Sequence, residues 1–170
     1  MSDDWLKVFM RLALLGFGLS VAAHVLALTG IVPPLPQPMF VFALHAGIFI
    51  VFVPAVLISR QRAQGGARTN LNDIARGSPL WIGALLLLLF AYAVVNFVLV
   101  FSLDNAPRGT ALTGNEFLKT LRGFSGHWML FYFASFAMLR AALHPSDAPT
   151  DPGADPLSWW NRPFGGFGGD

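Results

Sequence analysis

Gly123-Phe124-Ser125-Gly126-His127-Trp128-Met129-Leu130-Phe131-Tyr132 opens the last long apolar segment of this 170-residue chain. It places a histidine and a tryptophan where a span would meet the headgroups, the depth at which tryptophan is enriched. Read this way, it begins a membrane helix of about 124–143, and the question is whether the rest of the chain supplies partners for it. The composition is 55% hydrophobic and only 12% charged, against roughly 25% charged in an ordinary soluble domain. A globular core has no use for that much apolar surface, whereas a bilayer does.

Working back towards the N-terminus, three more segments have the ~20 apolar residues that a span needs. The first covers about 12–32, with Trp5, Lys7 and Arg11 as interface anchors ahead of it. Gly16, Ser20 and His24 recur every four residues and so share one face, where small residues let a neighbouring helix come close. Gly30 and Pro33-Pro34 end it, and the proline run to Pro38 makes a stiff turn. The second covers about 39–58 and carries Pro54, which predicts a kink. The third covers about 79–101, with Pro79 at a first-turn position and Ser78 as its cap. Between the third and fourth segments, Thr113-Gly114-Asn115-Glu116 reads as a capping box. Phe117, Leu118, Leu121 and Phe124 follow at helical spacing, which predicts a short external amphipathic helix.

These readings give an all-α integral membrane four-helix bundle with a short external amphipathic helix before the last span. The bundle domain is 1–144. Residues 145–170, rich in Pro, Asp and Gly, read as a disordered cytoplasmic tail with an aromatic end. Lys7, Arg11, Arg60, Arg62, Arg68, Arg76, Arg140 and Arg162 fall on one side of the membrane, and only Arg108, Lys119 and Arg122 on the other. The side richer in Lys and Arg is cytoplasmic. The expectation is therefore a bacterial inner-membrane protein with both termini in the cytoplasm. The cations lie at segment ends, so the partners expected are the lipid bilayer and other membrane subunits or a second copy, and no nucleic acid.

Each span carries one polar residue near its outer end. From a rise of ~1.5 Å per residue, His24 lies roughly 12 Å in, His45 roughly 9 Å, Asn96 roughly 8 Å and His127 about 5 Å. Tyr92 stands one turn deeper than Asn96 on the same face. Ionisable groups at such depth face the bundle interior or a cavity. Three imidazoles at one level have the chemistry to hold a metal or a haem iron. His24, His45 and His127 are thus the candidate metal ligands, and Asn96 and Tyr92 complete a candidate cofactor site. Each also has a plainer role: His24 bonded to a hydroxyl or carbonyl, His127 as an interfacial residue, Asn96 as a bond between helices.

The absences narrow the field. There is no cysteine, hence no disulfide, thiolate metal site or cysteine nucleophile. No acidic or basic residue lies within the spans away from their ends, which weighs against a proton-coupled transporter. No HExxH, Walker loop or carboxylate pair is present, so no catalytic residue is assigned.

With His24, His45 and His127 near one face of four helices, the arrangement resembles in architecture the small haem-b membrane anchors of respiratory enzymes. That resemblance implies two axial histidines, whereas here three compete for the two positions. The leading functional expectation is a non-enzymatic accessory or scaffold subunit of a membrane complex. The alternative is a haem-b or metal-binding electron-transfer subunit, with transport of a small neutral solute third.

Overall fold

The computed structural model describes residues 3–32, 37–63, 79–102 and 114–144. They form four helices: α1 Asp3–Thr29, α2 Gln37–Ala63, α3 Leu80–Ser102 and α4 Gly114–Leu143. The described residues contain no strand. Residues 33–36 of the expected proline turn, residues 64–78, the loop up to Thr113 and the tail fall outside the described residues; Gln37 and Pro38, expected in the turn, are instead the first two residues of α2, where a proline is tolerated because a first-turn N–H has no helical partner.

α1 ends as its sequence requires. Gly30 has φ 76°, a left-handed conformation that costs glycine little. The Ile31 N–H then reaches back to the Leu26 carbonyl at 3.0 Å, the six-to-one bond of a glycine-terminated helix. Pro79 immediately precedes α3, and its carbonyl accepts from the Ile82 N–H at 2.9 Å. Pro54 lies inside α2, which continues through it to Ala63.

The amphipathic stretch that begins at Gly114 is helical, but it is not a separate element. It runs unbroken into the last segment as one 30-residue helix. At ~1.5 Å per residue such a helix is about 45 Å long, against the ~30 Å of a hydrocarbon core. Phe117 and Leu121 are buried with residues of α1 and α2, so their apolar face covers protein and not the membrane surface.

α4 is the hub. α1, α2 and α3 all pack on it, α1 and α2 also touch each other, and α3 has α4 as its main partner. Residues near the start of α4 meet the end of α1 and of α3 but the start of α2, so α4 runs antiparallel to α1 and α3 and parallel to α2. From Gly123 to Leu143 no α4 residue is exposed. The outer helices do the reverse: Leu15, Phe42, Phe49, Leu87 and Leu88 stand well out of the bundle, Leu88 at 65% exposure.

α1, α2 and α3 are long and apolar enough to cross a membrane; α4 is not among them. Its environment explains the difference. A helix facing lipid must be apolar all round, whereas one encased in other helices can carry Ser125, Gly126, Ser135 and other small or polar residues at its contacts.

Close approach is set by glycine. The Tyr132 ring lies directly against Gly16 of α1, and its hydroxyl lies over Gly47 of α2. That hydroxyl donates to the Leu44 carbonyl at 2.8 Å. A side chain at either glycine would overlap the tyrosine. The expected small-residue face of α1 therefore does meet a neighbour, since Gly16, Ser20 and His24 are all buried.

Candidate functional site

Near the N-terminal third of α4, the polar residues of the four helices form two groups. The first centres on His24. Its Nδ1 lies 2.7 Å from the Ser125 Oγ, and its Nε2 is in a short hydrogen bond with the Tyr92 hydroxyl. Ser125 in turn donates to the Arg122 carbonyl at 3.1 Å, and Asn96 Nδ2 donates to the same carbonyl at 2.7 Å. One assignment gives every donor an acceptor: Tyr92 O–H to Nε2, Nδ1–H to Ser125 Oγ, and Ser125 O–H to the backbone. The network ties α1 and α3 to α4.

A Ser–His contact also has the composition of a nucleophile and its base. Here Ser125 is fully buried and His24 is 6% exposed, and neither lines the open groove described below. The arrangement is suited to holding helices together.

The second group joins α2 and α4. Trp128 Nε1 donates to His45 Nδ1 at 3.1 Å, which leaves the His45 proton on Nε2. Trp128 is fully buried and stacks on Phe124 at 6.0 Å between ring centroids. The His127 ring meets His45 edge to face at 5.6 Å, and also contacts Phe124 and Phe131.

The structure therefore brings His45 and His127 together, and places His24 with Tyr92, Asn96 and Ser125 in a separate network. Among the described residues no group of three or more His, Cys, Asp or Glu side chains is placed to hold a metal ion. Sequence reading put the polar residues at one level but did not single out Ser125 and Trp128 as their partners. The signal was present in the quoted stretch: Ser125 and Trp128 are three residues apart and so lie on neighbouring parts of the α4 surface.

An apolar groove of about 280 Å³ adjoins the second group, between α3 and α4. It is lined by Phe90, Ala93, Val94, Phe97, Val98, His127 and Leu130.

Replacing His24 by Phe is expected to cost about 2 kcal/mol, because it removes one hydrogen bond from the buried Ser125 hydroxyl and one from the more exposed Tyr92 hydroxyl. His127→Phe keeps the ring contacts and breaks no bond, and should stay within about 0.5 kcal/mol of the parent. Denaturant unfolding of both variants in detergent checks the contrast; equal losses would contradict it.

No protein-family model, curated protein or solved structure matches this chain.

Proposed function

We propose that the protein is a non-enzymatic accessory or scaffold subunit of a membrane complex, inserted in a bacterial inner membrane with both termini in the cytoplasm. One observation carries this reading. The polar residues inside the bundle are spent on joining its helices: both ring nitrogens of His24 are taken by hydroxyls, Asn96 and Tyr132 hold backbone carbonyls, and His45 accepts from Trp128. A bundle locked internally in this way has its outer faces of α1, α2 and α3 available to lipid and to other membrane subunits. Purification of the tagged chain from native membranes in a mild detergent should recover a larger membrane partner or a self-assembly. His45→Ala and His127→Ala should leave that association intact. A lone monomer in every mild detergent contradicts the reading.

A second reading, haem-b or metal binding in an electron-transfer subunit, is favoured by the contact between His45 and His127 across α2 and α4. It requires a Soret band, or stoichiometric metal, that is lost in either of those two alanine variants and retained in His24→Phe.

A further inference from the structure

Arg140, in the last turn of α4, is the exception in a bundle whose buried polar groups are paired. Among the described residues, its Nη1 is the one buried side-chain nitrogen or oxygen without a hydrogen-bond partner. The residue as a whole is half-buried, so the side chain encloses one nitrogen and still reaches the surface. Arg140 lies seven residues past Phe133 and eleven past Met129. At 3.6 residues per turn the three share one strip of α4. Phe133 and Met129 are buried with Ile82 and Leu89 of α3, so Arg140 carries the α3-facing strip to the end of the helix.

A guanidinium is always charged and holds five N–H donors. Enclosing part of it without an acceptor is a cost that a bound anion would relieve. The chain's described acids do not supply that anion. At this end of the bundle they are Asp3 and Asp4, at the start of α1. Asp4 is paired with Lys7, the one ion pair among the described residues. Lys7, Arg11 and Arg60 stand at the same end, so the surroundings of Arg140 attract negative charge.

We propose that Arg140 anchors a binding site for the phosphodiester of an anionic phospholipid, in the leaflet that meets the starts of α1 and α3. Depth selects a lipid phosphate. Trp5 and Trp81, near the starts of α1 and α3, are both well exposed and mark the headgroup level, where tryptophan is enriched. α4 runs antiparallel to both helices and ends at that level. A phosphodiester presents paired oxygens that match the planar fork of arginine, two N–H bonds at once. The long apolar stem lets the guanidinium turn outward to meet them. Basic pockets between membrane helices hold anionic headgroups in this way. The inference concerns lipid binding alone and holds with or without a partner subunit.

The test uses the full chain in detergent with an equal mixture of phosphatidylglycerol and phosphatidylcholine. Lipid retained after washing in ~1 M salt is extracted and counted. At that ionic strength the Debye length is ~3 Å, so attraction that depends on net charge alone is screened. The expected result is a preference for phosphatidylglycerol that falls about tenfold in Arg140→Gln, the value of one hydrogen bond to a charged group. Arg60→Gln removes an exposed cation at the same end and should leave the preference unchanged. Excess inorganic phosphate at the same ionic strength should not displace the lipid. Three results would overturn the proposal. The first is no preference in the parent, which would leave the guanidinium to a carboxylate of a partner subunit. The second is an equal effect, or none, in the two variants. The third is displacement by inorganic phosphate, which would make this a site for a free anion. If Arg140→Gln does not fold, Arg140→Lys keeps the charge and loses the fork; a preference undiminished in that variant would also overturn the proposal.

Discussion

Gly16→Leu is expected to destabilise the bundle by at least about 3 kcal/mol, the upper range for forcing extra atoms into a packed core, or to prevent folding. Gly18→Leu, two residues along the same helix, should change stability by less than about 0.5 kcal/mol. The contrast follows from what each glycine faces. Any Cβ at Gly16 overlaps the Tyr132 ring, whereas nothing lies within 4 Å of one at Gly18. Tyr132 has little freedom to yield, because its hydroxyl is held by the Leu44 carbonyl and sits over Gly47. Moving it breaks that bond and shifts α1 and α2 together. In a Tyr132→Ala background the penalty for Gly16→Leu should shrink, a coupling that a double-mutant cycle isolates. Unfolding by denaturant in detergent gives all four values. Equal costs at Gly16 and Gly18 would mean that α1 presents a different face to α4.

The second large effect is expected at Trp128. Trp128→Ala should cost about 3–5 kcal/mol, as for other large buried aromatics cut to alanine. The indole is fully buried, stacks on Phe124 and satisfies His45 Nδ1. Its removal leaves a cavity at the hub and an imidazole nitrogen without its donor. The lost contacts matter even without a hydrophobic driving force in lipid, because packing and hydrogen bonds are what hold membrane helices together. Trp128→Phe keeps an aromatic ring and removes the N–H, and should cost no more than about 2 kcal/mol. The ratio of the two separates packing from hydrogen bonding.

Much of the fold was legible because apolar length is a strong signal in a chain like this. Each expected span lies within a helix of the structure or overlaps one closely. The boundaries moved outward at α1, which starts at Asp3, and at α2, which ends at Ala63. Hydropathy marks where lipid begins, whereas backbone hydrogen bonding continues past that point. The role of α4 was not legible from hydropathy. A lower apolar content reads as a weak span, and only the packing shows that it belongs to an enclosed helix. For the same reason, Phe117 and Leu121 read as a surface helix when they are in fact part of the hub. At the site, common depth placed His24, His45, Asn96 and His127 at one end of the bundle. Depth does not fix rotation about each helix axis. That rotation turns His24 to Ser125 and Tyr92 and His45 to Trp128, so the three imidazoles do not meet at one point.

The packing of the bundle requires α4 to be enclosed while α3 keeps an outward apolar face. The chain has no cysteine, so single cysteines can be introduced cleanly, labelled with a nitroxide and tested for oxygen accessibility in a bilayer. Labels at Met129, Ser135 and Ala137, all buried and at well-separated angles around α4 at 3.6 residues per turn, should show uniformly low accessibility. Labels at Leu87, Leu88 and Val95 of α3 should show high accessibility, since all three are more than half exposed. An α4 position as accessible as Leu88 would give that helix a lipid-facing side and contradict the enclosed hub.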